Sequence, residues 1–485
     1  MAARNKGARR AERDPRPQAR AATPPAAAWL PHLKRMSGAK YVSLFDAINE
    51  AIAHGDLKGG ERLPTQRDLA AMLGVNIATV SKAVAEAGRR GLLVTRRGGG
   101  TFVAPAHPRA PRDAEAADAV ADLSINVPPM GPVRSIVEHI MGTLLRNAGA
   151  DALFGYSPVG GSFHDRDVAT QWLAARGVAA SPEDLILTQG AYEGLFAALT
   201  ALARPGEAIA CEALNYSGIR RLGELCRLEL VGVAVDEQGM RPDALASALR
   251  GGKVKAVVCT PVTLNPTTAT QGLERRRAII DVARRNSVPI VEDDIYGRLA
   301  GDDLPPLAAM WPQGVTYVSG LSKCVAPGLR IGYLCPPPAL RSRVHDALLL
   351  LAWTAPSLHI ALATELIRTG SAAECSLAQR AEASRRMALA RKLLPGLFTS
   401  PIALASYHAW LNLPEPWGER EATAALRRHR ILVSPAHDFV IGSRAAPAAV
   451  RIGLGGVEDV NVLERALVTI PDLLATQSTG LSSIA

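Results

Sequence analysis

Cysteine is scarce in this chain of 485 residues, and its six cysteines show no C-x-x-C spacing. That pattern argues against a zinc cluster and against a disulfide framework, so we expect no metal site. The sequence also lacks an uncharged apolar run near the roughly 18–20 residues that a membrane-spanning helix needs. Three prolines interrupt residues 21–31, which leaves no core for a signal peptide. These absences predict a cytoplasmic protein that contacts no membrane.

Positive charge is concentrated at one end of the chain. The formal net charge is +10, and residues 1–105 hold 18 Lys and Arg against eight Asp and Glu, whereas the remainder is balanced. A basic segment joined to a neutral remainder is typical of a nucleic-acid-binding module attached to another domain. With 48% hydrophobic and 21% charged residues the composition is globular, and the length predicts more than one domain.

Composition and periodicity divide the chain into four segments. Residues 1–35, rich in Ala, Pro and Arg, are predicted to form a disordered basic tail. Residues 36–104 are predicted to be a compact helical DNA-binding domain, and residues 105–121, rich in Pro, Ala and Asp, a linker. Residues 122–475 alternate strand-like and helical stretches, which predicts a mostly parallel α/β sheet covered on both faces. Strands are predicted at 185–188, 208–211, 256–259, 289–292 and 316–319, and helices include 193–203 and 273–284.

Residues 68–103 predict two short helices followed by a two-stranded wing. The first helix covers 68–73, Gly74 supplies the turn, and Asn76 caps the second helix. Apolar residues at 92–95 and the run RRGGGTFV at 96–103 predict the wing. Two helices about a glycine turn form a helix-turn-helix unit, whose second helix enters the major groove of DNA.

This segment resembles the winged helix-turn-helix of GntR-type transcription factors. The resemblance rests on a G-x-L-x-x-G-x-R-L-P run at 55–64, on Leu69-Ala70, Gly74-Val75 and Thr79-Val80, and on the G-x-G-T-F wing at 98–102. Ile77 departs from the arginine of many relatives, so no base preference is implied. A helix-and-wing module that contacts protein instead of DNA is the alternative. The resemblance implies that DNA contacts come from Arg67, Asn76, Thr79, Lys82, Gly98 and Gly100.

Polar residues that follow the predicted strands suit pyridoxal phosphate. The turn at 188–192 joins a strand to a helix, whose free backbone N–H groups favour a phosphate. Asp293 ends one strand, and Ser322-Lys323 follows the next, with Arg330 seven residues later. A lysine can form a Schiff base with the cofactor, a carboxylate can keep its pyridine nitrogen protonated, and a Ser/Arg pair can bind its phosphate.

Residues 122–475 resemble the class I aminotransferases of fold type I. The resemblance implies that Lys323 and Asp293 are the catalytic residues, as Schiff-base lysine and pyridinium partner, and that Arg451 binds a substrate carboxylate. Tyr156 would reach across a dimer to the neighbour's phosphate, and Tyr216 would stack on the ring. The remaining cofactor-binding residues implied are Gly190, Ala191, Tyr192, Asn265, Tyr296, Ser322 and Arg330. One departure is Gly320, where relatives carry Ser or Thr, so one phosphate hydroxyl is missing.

A rival interpretation of residues 434–438 (SPAHD) is a hydrolase site. Ser, His and Asp are present there, but no G-x-S-x-G motif accompanies them. We therefore expect these residues to form a loop of a small C-terminal subdomain.

A GntR-like head on an aminotransferase-like body resembles the MocR/GabR-type regulators over nearly the whole chain. The expected fold is multidomain, with a mainly α winged helix-turn-helix and an α/β body of aminotransferase fold type I with a small C-terminal subdomain. The resemblance implies a homodimeric, pyridoxal-phosphate-dependent regulator that binds an operator in double-stranded DNA. It would sense an amine, an amino acid or the cofactor by aldimine exchange at Lys323. Two alternatives stay open: an active aminotransferase with a DNA-binding domain attached, and a body that only dimerises.

Overall fold

The computed structural model describes residues 40–53, 55–89, 92–96, 99–104, 120–301, 303–351, 353–398 and 404–476. The chain divides into two units, Met1–Ala117 and Asp118–Ala485, here called the head and the body. The predicted tail at 1–35 and nearly all of the predicted linker at 105–121 lie outside the described residues. No helix in the described ranges is long and apolar enough to cross a membrane.

The head is a helix-turn-helix followed by a wing. Its elements are α1 (Lys40–Ala53), α2 (Gln66–Leu73), α3 (Ile77–Arg89), β1 (Leu93–Arg96) and β2 (Gly100–Val103). The turn between α2 and α3 is built as the sequence predicts, because Gly74 adopts the left-handed conformation at φ 61°. The Oδ1 atom of Asn76 then accepts a hydrogen bond of 3.0 Å from the backbone N–H of Ala78 and caps α3.

The wing and the helices share one small core. β1 and β2 pair antiparallel, with Leu93 opposite Val103. Leu69 of α2 and Val80 of α3 are fully buried in that core, together with Ile48 of α1. Buried apolar residues from all three helices and from both strands therefore fix the head as a unit of its own.

The body contains fourteen strands and fourteen helices within its described residues. The first strand of the body is β3 (Ala121–Asp122). The large part of the body then holds α4 (Arg134–Asn147), α5 (Ala150–Phe154), α6 (Phe163–Ala174), β4 (Ile186–Thr188), α7 (Ala191–Leu202), β5 (Ala208–Glu212), α8 (Ser217–Cys226), β6 (Glu229–Val233), β7 (Val235–Asp236), β8 (Gly239–Met240), α9 (Pro242–Leu249), β9 (Val254–Cys259), α10 (Leu273–Arg285), β10 (Ile290–Asp293), α11 (Gly297–Ala300), α12 (Leu307–Met310), β11 (Val315–Gly320), β12 (Gly332–Cys335), α13 (Arg341–Leu351) and α14 (Ser357–Arg368). The small subdomain follows with α15 (Ser371–Leu393), β13 (His408–Asn412), α16 (Glu419–Arg428), β14 (Ile431–Leu432), β15 (Ser434–Pro435), β16 (Ala449–Gly453) and α17 (Val460–Thr476).

A seven-stranded sheet forms the centre of the body, in the order β4-β12-β11-β10-β9-β5-β6. The strands β11, β10, β9, β5 and β6 are parallel to one another, and β12 runs antiparallel to both of its neighbours. Buried apolar clusters cover both faces of the sheet. The predicted parallel α/β sheet is confirmed, with β12 as an antiparallel insertion.

The small subdomain is built on a second, antiparallel sheet in the order β13-β16-β15. Its core includes Leu411 of β13, Leu426 of α16, Ile452 of β16 and Leu467 of α17. The N-terminal strand of the body belongs to this part as well, because β3 pairs with β14, placing Ala121 beside Ile431. The small subdomain therefore includes the two ends of the body.

Candidate functional site

A cavity of about 830 Å³ lies at the carboxyl ends of the parallel strands, where open α/β sheets bind ligands. Its walls come from the loops that follow β5, β9, β10 and β11 and from the small subdomain. Ten of the residues predicted from the sequence line it together. They are Ala191, Tyr192, Tyr216, Asn265, Asp293, Tyr296, Ser322, Lys323, Arg330 and Arg451.

Lys323 lies in the loop after β11, with its amine inside the cavity. The Nζ atom donates a hydrogen bond to the backbone carbonyl of Asn126 and lies 5.9 Å from the centre of the Tyr296 ring. Burial and the charge of Arg451 lower the pKa of Lys323 to about 8, and Asp293 opposes this shift. An amine with that pKa has an appreciable neutral fraction near pH 7, as a nucleophile for a carbonyl group requires.

Two adjacent carboxylates at the end of β10 have different surroundings. Asp294 is paired with Arg176, with 2.9 Å between carboxylate and guanidinium, and accepts the hydroxyl of Tyr317 at 2.8 Å. Asp293 faces the cavity and accepts a hydrogen bond of 3.3 Å from the backbone N–H of Ile295. Burial raises the pKa of Asp293 to about 6. Asp293 is therefore the carboxylate that remains available to a ligand.

The turn between β4 and α7 forms a cradle for an anion. Gly190 has φ 83°, and α7 begins at Ala191 without a side-chain cap on its N–H groups. A Cβ atom at position 190 would lie 3.0 Å from a guanidinium nitrogen of Arg330. A Cβ atom at Gly332 would lie 2.5 Å from the carbonyl carbon of Gly190. The absence of side chains at both glycines lets Arg330 and β12 approach this helix N-terminus closely.

The structure gives a physical reason for the unusual glycine at position 320. Gly320 pairs with Gly332 across β11 and β12, and a Cβ atom there would lie 2.8 Å from the carbonyl oxygen of Ile331. A serine or threonine would therefore require the two strands to separate. The hydroxyl that relatives place here is excluded by close backbone packing.

Tyr216 lies at the wall of the cavity and is supported by a buried carboxylate. Glu212 accepts hydrogen bonds from the Asn215 side chain at 2.7 Å and from the backbone N–H of Thr260 at 2.9 Å. Asn215 in turn accepts the backbone N–H of Tyr216 at 2.6 Å. Burial raises the pKa of Glu212 to about 7. This network fixes the start of α8 and, with it, the position of the Tyr216 ring.

Arg451 of β16 is a buried cation at the small-subdomain side of the cavity, with only 6% of its surface exposed. Its guanidinium donates to Asn265 Oδ1 at 3.3 Å, to Ser434 Oγ at 3.1 Å and to the carbonyl of Ser124. Its Nε atom has no partner, and no carboxylate in the described ranges lies within salt-bridge distance. Burial lowers the pKa of Arg451, so an anion that restores its pairing would be bound favourably.

Sequence reasoning missed several residues of the cavity. Residues 434–438 were expected to be a loop, but they form the short strand β15 and a 3₁₀ turn, and four of them line the cavity: Ser434, Pro435, His437 and Asp438. Asn126 also lines it, and His408 is hydrogen-bonded behind Asn126 at 3.0 Å. No motif marks either residue, because their partners lie 170 and 282 positions away in the chain.

Two predicted site residues of the body, Gly190 and Tyr156, do not line this cavity, and Gly190 directly precedes the lining residue Ala191. The side chain of Tyr156 is 98% exposed and is absent from the cavity wall. Its predicted role across a dimer therefore stays a prediction.

The predicted DNA-contacting residues occupy the surface of the head. Arg67, Asn76 and Lys82 are exposed, and Thr79 of α3 is half-buried. The ammonium of Lys82 lies 4.0 Å from the centre of the Tyr41 ring. Gly100 has φ 107° at the start of β2. Gly98 lies outside the described residues.

Two family descriptions match this chain. "Aminotransferase class I and II" matches residues 118–469, and "Bacterial regulatory proteins, gntR family" matches residues 40–103. The two matches account for the body and for the head, respectively.

Proteins similar to this chain include HTH-type transcriptional regulators and, among solved structures, aminotransferases. The uncharacterized HTH-type transcriptional regulator YdeF of Bacillus subtilis is 26% identical, over 92% of this chain and 96% of its own length. The pyridoxine biosynthesis transcriptional regulator PdxR of Corynebacterium glutamicum is 30% identical, over 61% of this chain and 65% of its own. Among solved structures, the α-aminoadipate aminotransferase LysN of Thermus thermophilus, complexed with N-(5'-phosphopyridoxyl)-L-leucine, aligns with a TM-score of 0.67 and 20% identity. That alignment covers 78% of this chain and 96% of LysN, and it shows a shared fold.

Proposed function

Since this chain belongs to the aminotransferase class I and II family and carries a GntR-family head, we propose that it is a transcription regulator whose body binds pyridoxal 5'-phosphate and senses a small molecule. The sensed molecule is an amine, an amino acid or the cofactor itself, and sensing occurs by exchange of the cofactor's aldehyde between Lys323 and the effector's amine. The observation that carries the proposal is that Lys323, Asp293 and Arg451 line one cavity.

The residues of the cavity fit this cofactor. The cradle at Gly190 offers free N–H groups and the guanidinium of Arg330 to a phosphate, with Ala191 and Ser322 beside it and Tyr192 next on α7. Asp293 would pair with the ring nitrogen, and Asn265 and Tyr296 would hold the phenolic oxygen. The ring face would stack on Tyr216. When bound, the cofactor supplies an aldehyde that captures amines and a ring that withdraws electrons.

The chain's own residues select the effector. Arg451 is buried, lacks a carboxylate partner among the described residues and presents a planar fork of donors, so it would bind a carboxylate in two-point fashion. The depressed pKa of Lys323 keeps part of its amine neutral at physiological pH. Together these groups favour an effector that has an amine at one end and a carboxylate within reach of Arg451.

We further propose that the protein acts as a homodimer on an operator in double-stranded DNA. Large apolar or aromatic side chains are exposed on the body, among them Phe154 at 74%, Tyr156 at 98% and Leu350 at 88%. Exposed apolar side chains that form one patch mark an interaction site, and Phe154 and Tyr156 lie only two residues apart in the chain. A second copy would place Tyr156 at the neighbour's phosphate site and would match a two-fold operator. We propose the same domain limits as from the sequence, 36–104 for the DNA-binding domain and 122–475 for the aminotransferase-like domain. A regulator that binds DNA would work in the cytoplasm.

A second function has specific support. Lys323, Asp293 and Arg451 are the residues that a working aminotransferase needs, and all three line the cavity. An active aminotransferase with an attached DNA-binding domain is therefore the alternative. A relative named for regulation of pyridoxine biosynthesis favours sensing, including sensing of the cofactor itself.

Absorbance spectroscopy of the purified protein tests the proposal. We expect a visible band after incubation with pyridoxal phosphate, and we expect Lys323→Ala to abolish it. A panel of amino acids is then added while binding to DNA duplexes selected by the protein from a randomised pool is followed by fluorescence anisotropy. A stable spectral shift that changes DNA affinity supports sensing, and conversion of the cofactor to its amine form supports transamination. The absence of a band would reduce the body to a dimerisation scaffold.

A further inference from the structure

Two side chains of the cavity wall and one behind it form a continuous chain of hydrogen bonds. The Nδ2 atom of Asn126 lies 2.9 Å from the hydroxyl oxygen of Tyr296 and 3.0 Å from Nδ1 of His408. The Nε2 atom of His408 lies 3.5 Å from the backbone carbonyl of Leu264. Tyr296, Asn126 and His408 are 4%, 9% and 0% exposed, so these hydrogen bonds are largely shielded from solvent.

The surroundings of His408 decide which of its ring nitrogens carries the hydrogen. Burial, together with the charge of Arg451, lowers the pKa of His408 to about 3, so the ring is neutral and has one N–H. A carbonyl oxygen can only accept, so Nε2 must donate to Leu264. Nδ1 is left as an acceptor. The hydroxyl of Ser406, 3.2 Å from Nδ1, is compatible because a hydroxyl can donate to it or to the His408 carbonyl at 2.9 Å.

The tautomer of His408 then fixes the amide of Asn126. An accepting Nδ1 requires the NH₂ group of Asn126 on that side, and the same NH₂ group donates to Tyr296. If the amide were turned the other way, its Oδ1 atom would face Nδ1 of His408, and two hydrogen-bond acceptors would lie against each other. The Oδ1 atom of Asn126 is buried without a partner, so this orientation has a cost that its hydrogen bonds must offset.

The hydroxyl oxygen of Tyr296 therefore accepts a hydrogen bond, and its hydrogen is not used in that bond. Asn126 is the one hydrogen-bond partner of the Tyr296 hydroxyl among the residues that the structure describes. Tyr296 lines the cavity, and burial raises its pKa, so the hydroxyl keeps its hydrogen at physiological pH. That hydrogen is available to an acceptor in the cavity.

We propose that Asn126 and His408 are positioning residues that orient the hydroxyl of Tyr296 toward the phenolic oxygen of the cofactor. This inference rests on the proposed function, because it assigns the cavity to pyridoxal phosphate. The chain of hydrogen bonds joins three separate parts of the body: Asn126 precedes α4, Tyr296 follows β10 of the large sheet, and His408 begins β13 of the small subdomain.

A second contact of Asn126 supports its role. Its backbone carbonyl accepts the hydrogen bond of Lys323 Nζ, while its side chain donates to Tyr296. One residue therefore touches both groups that would face the reactive end of the cofactor. His408 also shares a sheet with the carboxylate-binding arginine, because β13 and β16 are paired, with Trp410 opposite Arg451.

A double-mutant cycle on the full-length, cofactor-loaded protein tests the proposal. A hydrogen bond to the phenolic oxygen stabilises its ionised form, so removing it raises the pKa of the visible chromophore that Lys323 forms with the cofactor. We expect Asn126→Ala and Tyr296→Phe each to raise that pKa by about one to two units. We expect Asn126→Ala to add nothing in the Tyr296→Phe background, which serves as its matched control.

Substitutions at His408 separate positioning from packing. In His408→Asn the side-chain oxygen can take the place of Nδ1 as acceptor, whereas His408→Leu has no acceptor. We expect His408→Asn to keep the wild-type chromophore pKa and His408→Leu to raise it as Asn126→Ala does. Thermal unfolding followed by circular dichroism confirms that each variant is folded.

The outcomes distinguish this inference from the proposed function. Additive shifts in the double mutant, or equal shifts in both His408 variants, would overturn the positioning role while leaving the cofactor assignment intact. If the wild-type protein forms no chromophore with pyridoxal phosphate, the proposed function fails and this inference fails with it. Non-additive shifts together with rescue by His408→Asn establish the role.

Discussion

The head and the body offer their ligands charged groups in opposite environments. In the head, Arg67 and Lys82 are exposed to water on the helices that would face DNA. In the body, Asp293 is 8% and Arg451 6% exposed, and burial shifts the pKa of both. Exposed charges act over a distance and are screened by salt, whereas desolvated charges act at contact and respond to protonation. Under the proposed function, charged residues would therefore serve two kinds of recognition, one sensitive to salt and the other to pH.

The largest expected effect is a complete loss of the body's ligand response while the head keeps its DNA binding. Lys323→Ala removes the amine that we propose to anchor the cofactor, so we expect total loss of the visible chromophore and of the response to amines, with DNA binding retained. Spectra and anisotropy titrations measure the two functions. Lys255→Ala, which alters a lysine with 43% exposure, is the control and should change neither. An amine response that survives Lys323→Ala would contradict the assignment.

Salt should act on the head far more than on the body. A regulator that makes six or more phosphate contacts loses on the order of a thousandfold in affinity between 50 and 200 mM salt. Anisotropy titrations at a series of salt concentrations measure this slope, and Lys82→Ala should reduce it by about one per bound copy. Cofactor reconstitution over the same range is the comparison and should change little. A DNA affinity that is insensitive to salt would refute the electrostatic account of the head.

Removing the buried cation of the body should weaken only effectors that carry a carboxylate. We expect Arg451→Gln to lower the affinity for amino acids by about 10- to 100-fold, since a hydrogen-bonded charge pair is lost. Titration of the visible band measures this, and amines without a carboxylate should bind as before. Arg368→Gln, which removes an exposed arginine paired with Glu365 within α14, is the control. Equal losses for amines and amino acids would show that Arg451 does not read the carboxylate.

The last expected effect concerns the stability of the body and its dependence on pH. Burial raises the pKa of Asp293 from 3.8 to about 6, so the folded state binds its proton more tightly than the unfolded state. Ionised Asp293 therefore destabilises the cofactor-free protein, fully above about pH 6 and not at all below 3.8. We expect Asp293→Asn to raise its free energy of unfolding at pH 7.5 by up to about 3 kcal/mol. The gain should vanish near pH 4 and should be accompanied by weaker cofactor binding.

Denaturant unfolding at the two pH values measures this difference. A loss of stability at both values would mean that Asp293 is a structural residue. It would then resemble its neighbour Asp294, which is paired with Arg176.

Local patterns in the sequence were sufficient for most of the fold. Five strands of the sheet contain a short apolar run, and their predicted bounds agree with β4, β5, β9, β10 and β11 to within two residues. The parallel edge strand β6 was not predicted. β12 could not be predicted in this way. It is four residues long, is followed by three prolines and has no crossover helix, and its place is set by pairing with β11 on one side and β4 on the other.

The candidate site likewise contains residues that local sequence patterns indicate and residues that only long-range contacts reveal. Asp293, Lys323 and the turn at Gly190 follow strand ends, where the chain order itself indicates a ligand site. Asn126 and His408 have no such signal, because their role depends on contacts between distant segments. Gly320 was recognised as a departure from the family, but its cause, the approach of Ile331 to within 2.8 Å of a Cβ position, required coordinates.

The pairing of β3 with β14 has a mechanical consequence. Ala121 and Asp122, the first strand residues after the segment that leads from the head, are held by Ile431 and Leu432 of the small subdomain. Two residues further on, the carbonyl of Ser124 holds Arg451. Residues 121–124 are therefore tied to the small subdomain twice, by strand pairing and by the arginine that we propose to bind an effector's carboxylate. If the small subdomain rotates when an effector binds, the first residues of the body must move with it.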